Sequence, residues 1–128
     1  MLLIQKDTED NSINILVVDD EPVYRKVMKR LLINEGHRVT LAEDGIEGLR
    51  ILKNEEIDIV LTDINMPNMN GWDFLRNIEK LYPGIPAAVI TGFSSQEKIL
   101  SEENSMAKKI LKKPISIDAI RKLIEEIL

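Results

Sequence analysis

The residues with most chemistry to offer are few and far apart: an acidic pair, Asp19-Asp20, a further acid, Asp63, a hydroxyl, Thr91, and Lys113 ahead of Pro114. Three carboxylates brought to one point repel one another unless a proton or a cation joins them. Carboxylate and carbonyl oxygens without imidazole or thiolate suit a hard divalent ion. Mg²⁺ fits such donors because it keeps waters and accepts an added phosphoryl oxygen. The stretch after Asp63, Ile64-Asn65-Met66-Pro67-Asn68-Met69-Asn70-Gly71, is rich in turn formers and can present that carboxylate and a backbone carbonyl to a metal. Lys113 is biased to extended geometry by the proline after it, with a bond that is a candidate for the cis form, so its ammonium can reach in from a strand end. Ordinary roles compete. Asp19 and Asp20 could cap a helix ahead of Pro22, Thr91 could be a plain β-branched strand residue, and Lys108, Lys109 and Lys112 could guard an exposed sheet edge. Capping explains one aspartate but not the reactive residues at the other strand ends.

The rest of the composition narrows the chemistry. Cysteine is absent, which removes disulfides, zinc-thiolate sites, Fe–S clusters and thiol nucleophiles. The single histidine, His37, lies in Glu35-Gly36-His37-Arg38, which reads as a helix stop running into a strand and makes it a turn residue. A net charge of −5, from 22 acids against 17 bases, argues against a nucleic-acid partner and for a protein, metal or small ligand. The apolar runs are far shorter than the roughly 20 residues that cross a bilayer, and Met1-Leu2-Leu3-Ile4 is too short for a signal-peptide core, so a cytoplasmic location without a membrane partner is expected.

These residues need a scaffold that gathers them. A chain of 128 residues has the length of one domain. Residues 1–12 mix charge and turn formers and are expected to be a loose leader, with the domain over 13–128. Apolar runs of strand length at 15–18, 39–42, 57–61, 87–90 and 110–111 alternate with segments of helical period, which gives five βα units. Pro22 suits a first helical turn, Asp44 with Glu47 resembles a capping box, and Ser116 can cap the last helix. Apolar stripes are expected at Val23, Val27 and Leu31, at Ile46, Leu49 and Leu52, at Phe74, Ile78 and Tyr82, and at Ile120, Leu123 and Ile127. The segment 94–104 offers only Ile99 and Leu100, so a weakly anchored, movable helix is expected there. Strands apolar on both faces predict a doubly wound parallel α/β sandwich, which binds ligands beyond the carboxyl ends of its strands.

Taken together, Asp19-Asp20-Glu21-Pro22, the run from Thr62-Asp63 to Asn70-Gly71, Thr91-Gly92 and Lys112-Lys113-Pro114 resemble the receiver domain of two-component response regulators. Steps of 43, 28 and 22 residues from Asp20 to Asp63, Thr91 and Lys113 are also similar to that family's. The resemblance implies a flavodoxin-like five-stranded parallel sheet of order 2-1-3-4-5 with five helices. It makes Asp63 the phosphoacceptor, with Thr91 and Lys113 on the phosphoryl group. Mg²⁺ would be held by Asp20, Asp63 and the carbonyl of Asn65, and by Asp19 through water. The implied partner is a sensor histidine kinase or a histidine phosphotransfer protein that supplies a phosphohistidine. The domain would promote its own phosphorylation and dephosphorylation, and then switch the surface around its fourth helix, fifth strand and fifth helix, dimerise, or relay the phosphoryl group.

The chain departs from the family at Ile110, where many members carry the Tyr or Phe whose rotation is coupled to the threonine. Phe93 is expected to shield the acyl phosphate or to meet a partner. Two other classes fit the residues less well. A phosphohydrolase of the haloacid-dehalogenase type needs a second acid two residues after its nucleophile, where this chain has Asn65. A flavodoxin or nucleotide-binding domain needs a phosphate loop after the first strand, where Asp19, Asp20 and Glu21 stand instead.

Overall fold

Side chains alternate across a strand, so a strand that is apolar at every position must be covered on both faces. The computed structural model, which describes residues 12–92, 109–113 and 115–127, shows that arrangement. The chain runs β1 (Asn14–Val18), α1 (Pro22–Asn34), β2 (Arg38–Ala42), α2 (Gly45–Asn54), β3 (Ile59–Thr62), α3 (Gly71–Leu81), β4 (Ala87–Thr91), β5 (Lys109–Lys112) and α4 (Ile117–Ile127). The strands form one parallel sheet in the order β2-β1-β3-β4-β5, the flavodoxin-like order expected. The expected helix over 94–104 lies outside the described residues, as do Phe93, Lys108, Pro114 and all of the expected leader but Ser12.

Two cores result. Ile15, Val17, Ile59, Leu61, Ala88 and Ile90 face one way and meet Met28 and Leu32 of α1 and Ile120 and Leu123 of α4. Leu16, Val18, Val60 and Val89 face the other way and meet Leu52 of α2 and Phe74, Leu75 and Ile78 of α3. Each fully buried side chain of this size stabilises the fold by about 1.5–3 kcal/mol.

Two expected stripes are corrected. On α1, Val23 and Val27 are exposed, and the buried residues are Met28 and Leu32, because the helix settles on its bulkier side chains. On α2, Leu49 and Leu52 pack on the core as expected, but Ile46 is exposed, and the buried residues beside Leu52 are Gly45 against Met69 and Gly48 against Phe74. A Cβ on Gly48 would strike the Phe74 ring, so the absence of a side chain is what lets α2 and α3 approach.

The expected caps form. Pro22 opens α1, Asp44 Oδ1 accepts from the Glu47 N–H at 2.9 Å, and Ser116 Oγ accepts from the Ala119 N–H at 3.1 Å. Glu47 reaches back to the N–H of Glu43 (2.7 Å), one residue before the cap. His37 does more than turn the chain after Gly36, since its Nδ1 accepts the Ile13 N–H at 3.2 Å and ties down the entry to β1.

Candidate functional site

Parallel strands that start in register also end in register, and four of them, β1, β3, β4 and β5, end in or just before the residues singled out above. The Val18 and Thr62 positions pair across β1 and β3, so Asp19 and Asp63 leave the sheet side by side. Backbone bonds hold them there: the Asp63 N–H donates to Val18 O (2.9 Å) and the Asp19 N–H to Ala42 O (3.1 Å). Thr91 pairs with Lys112 across β4 and β5, and the Lys113 N–H donates to Thr91 O at 2.9 Å, which brings the lysine to the same edge. Asp20, Glu21, Asp63, Asn65, Thr91, Gly92 and Lys113 line a cleft of about 360 Å³.

One carboxylate oxygen from each of Asp19, Asp20 and Asp63 lies within 4.8 Å of the others. Asp19 and Asp63 are buried and Asp20 is exposed. An all-oxygen set of this kind, with one open side, fits Mg²⁺. Lys113 enters from the other direction, its Nζ 2.8 Å from Asp19 Oδ2, 3.1 Å from Glu21 Oε1 and 3.4 Å from Asp63 Oδ2. Burial alone would lower its ammonium pKa, but the hydrogen bonds to Asp19 and Glu21 and the charges of Asp63 and Asp19 outweigh that and hold it above the usual lysine value. Asp63 is pushed above the ordinary carboxylate value, chiefly by burial and also by the nearby Asp19, against the pull of the Ile64 N–H and of Lys113. The site is thus short of positive charge.

The loop after Asp63 is fixed by contacts that composition did not announce. The Ile64 N–H donates to Asp63 Oδ1 (2.7 Å) and orients the carboxylate, while the Gly71 N–H donates to Ile64 O (2.7 Å). A Cβ on Gly71 would overlap Asp63 O and the Ile64 Cα, so only glycine lets α3 begin this close. Asn68 takes a positive φ of 68° and donates to Asp44 Oδ2 at 2.7 Å, which staples the loop to α2. Asp19 does serve locally as well, its Oδ1 accepting the Glu21 N–H at 2.9 Å.

All the predicted site residues, Asp19, Asp20, Asp63, Asn65, Thr91 and Lys113, therefore meet at the carboxyl end of the sheet. Sequence reasoning missed three neighbours: Glu21, which pairs with Lys113, Gly71, and Tyr24, whose ring centroid lies 4.2 Å from Lys113 Nζ. The available signal for Tyr24 was an aromatic in the first turn after an acidic pair, in a chain with two Phe, two Tyr and one Trp.

The model of the response regulator receiver domain matches residues 15–125. The chain belongs to that family. A receiver domain is a phosphoacceptor signalling domain of two-component systems and not a classical enzyme, which displaces the phosphohydrolase and nucleotide-binding readings. Among similar proteins, the transcriptional regulatory protein GlrR of Escherichia coli K12 is 34% identical over 90% of this chain and 26% of its own length. The sensor histidine kinase RcsC of Salmonella typhi is 36% identical over 90% of this chain and 12% of its own length. This chain thus spans about a quarter of the one and about an eighth of the other. Response regulator TrrA of Thermotoga maritima, solved in complex with Mg²⁺-BeF, superposes with a TM-score of 0.82 at 28% identity, covering 91% of this chain and 99% of that one. Among the described residues, no helix of the receiver is long and apolar enough to cross a membrane.

Proposed function

We propose that this receiver takes a phosphoryl group from a phosphohistidine onto Asp63. The observation that carries the reading is the oriented Asp63 carboxylate, set in one cleft with two further acids and one ammonium. An Asp63 carboxylate oxygen attacks phosphorus, the N–P bond breaks, and its electron pair stays on the donor imidazole, which takes up a proton. The Ile64 N–H holds Asp63 Oδ1, which leaves Oδ2, the oxygen nearer Lys113, to make the bond. Lys113 stands ready to exchange its contact with Asp63 for a phosphoryl oxygen, and Thr91, buried at the end of β4, lines the cleft where its hydroxyl can meet another. Asp20, Asp63 and the Asn65 carbonyl would hold Mg²⁺, with Asp19 acting through water. When bound, the ion neutralises charge on the transferring group.

The donor is a sensor histidine kinase or a histidine phosphotransfer protein. Its docking surface is the outer face of α1, which starts beside Asp20. There Val23 and Val27 are exposed among Lys26 and Arg30, a basic and apolar strip on an acidic chain that suits an acidic amphipathic helix. Ile110, packed against the core on the α2 and α3 side, supplies no aromatic ring to swing toward Thr91, so the phosphorylated surface is read in another way.

Intact-mass measurement tests the central step. With Mg²⁺ and acetyl phosphate the chain should gain one phosphoryl group and Asp63→Asn none. An equal mass gain in that variant would remove Asp63 as the acceptor.

A further inference from the structure

Lys113 has three N–H donors, and three carboxylates stand around it: Asp19, Glu21 and Asp63 at 2.8, 3.1 and 3.4 Å. A further side of the ammonium is closed by the face of Tyr24, 4.2 Å away at the ring centroid. The ring attracts a cation without demanding an N–H at a fixed angle. A polar neighbour in its place would compete for a donor and anchor the lysine in one direction. Tyr24 stands on α1, and α1 is fastened to the site because Arg25 Nη1 donates to Asp19 O at 2.5 Å. That bond ties the platform to the first of the acids.

The tyrosine hydroxyl sharpens the point, since it is buried and, among the described residues, makes no well-formed hydrogen bond, the Ile115 backbone N–H exerting only a weak pull on it. A buried hydroxyl so weakly satisfied adds little to the fold, so the ring is what the residue contributes. Burial also pushes the phenol up to about 12, against the pull of Lys113, and the ring stays neutral throughout the working range. What it offers the site is a flat apolar face on the lysine side of the cleft.

We infer that Tyr24 is a positioning residue for phosphoryl transfer: its ring keeps the Lys113 ammonium desolvated and between Asp19 and Asp63, yet free to slide onto an incoming phosphoryl oxygen. The inference rests on the proposed roles of Asp63 and Lys113. It predicts an energetic coupling between Tyr24 and Lys113 that a mere core position would not show.

The test follows the rate of Asp63 phosphorylation by acetyl phosphate in saturating Mg²⁺, for the full chain and its variants. Tyr24→Leu and Tyr24→Met should each slow the reaction about fivefold. Tyr24→Phe, which keeps the ring, should keep the parental rate. In a Lys113→Met background, Tyr24→Leu should have no further effect. A second readout needs no chemistry: the Lys113 ε-methylene protons should show an upfield ring-current shift by NMR that survives Tyr24→Phe and disappears in Tyr24→Leu. Equal slowing by Tyr24→Leu with and without Lys113, or loss of rate in Tyr24→Phe, would overturn the inference. So would a missing ring-current shift. Failure of the parent to take a phosphoryl group at all would instead strike the proposed function, and the NMR result would still decide whether the ring holds the lysine.

Discussion

The two ends of the sheet are built from the same kinds of residue and treat charge in opposite ways. At the amino end charges are met by local partners. Glu35 takes Arg121 Nε and Nη2 at 2.7 and 2.9 Å, Asp58 Oδ2 accepts the Asn14 N–H at 2.7 Å, and Arg38 donates to Asn14 Oδ1 and Ser12 Oγ. At the carboxyl end Lys113 alone bridges three carboxylates, with Asp20 adding a further negative charge beside them. Arg121 holds the Glu35 carboxyl below its ordinary value, whereas burial holds the Asp63 carboxyl above it. One end lowers the energy of its charges and so serves the fold. The other keeps a carboxylate in an unfavourable state that a cation or a phosphoryl transfer can relieve.

The comparison breaks most severely if the cation that bridges these carboxylates is removed. Lys113→Met leaves the buried Asp19 and Asp63 carboxylates facing each other with backbone N–H donors but no bridging cation. The metal-free fold should lose about 3 kcal/mol. Asp63 phosphorylation by acetyl phosphate should slow by about two orders of magnitude, as removal of a single charge-stabilising donor does elsewhere. Chemical denaturation and intact-mass kinetics measure both. A neutral effect on stability would mean that the acids already find their compensation elsewhere.

A smaller change has the opposite sign. Asp20 is exposed and adds a third like charge to the cluster, so Asp20→Asn should leave the metal-free protein as stable as the parent or slightly more so. Mg²⁺ at a hundredfold excess over its dissociation constant should stabilise the parent by about 2.7 kcal/mol, and the variant should forfeit most of that gain. Calorimetry with and without the metal separates the two effects. An undiminished response to Mg²⁺ in the variant would take Asp20 out of the metal's direct ligands.

How far this was legible in the sequence depended on dimension. Strand order and the gathering of Asp19, Asp63, Thr91 and Lys113 could be read because they follow from position along the chain: each residue ends or follows an apolar run, and parallel strands align those ends. What escaped lies in packing across the chain. Val23 and Val27 looked like a core stripe by spacing, yet α1 rotates to bury Met28 and Leu32, since larger side chains fill the space above the sheet better. Gly48 and Gly71 are invisible to any search for apolar periodicity because they work by having no side chain. Tyr24 could be counted as an aromatic, but nothing linear joins it to a lysine 89 positions later. Of the expected site residues, those carried by regular strands were placed readily, and the helix expected over 94–104 lies outside the described residues.

The gentlest probe of the comparison is pH, because the two ends should respond with opposite slopes. At the amino end, burial lowers the His37 pKa, and its neutral Nδ1 accepts the Ile13 N–H. Protonation destroys that acceptor. A folded value below the unfolded one means the contribution is complete above the unfolded value of about 6.5 and is lost as pH falls through the depressed value. Glu35 has the same sign in the carboxylate range, its stabilisation lost as pH falls through a value lowered by Arg121. Asp63 runs the other way. Its raised value means that the folded state holds the proton more tightly than the unfolded one, so without metal this residue adds stability as pH falls through the carboxylate range. In chelator, Asp63→Asn should therefore exceed the parent's melting temperature most at neutral pH, and the gap should close as the solution is acidified. His37→Gln, by contrast, should flatten the decline just below pH 6.5 and leave the Asp63-dependent gap untouched. If the Asp63→Asn advantage instead grew on acidification, the carboxyl end would be as well compensated as the amino end, and the contrast between them would be one of composition alone.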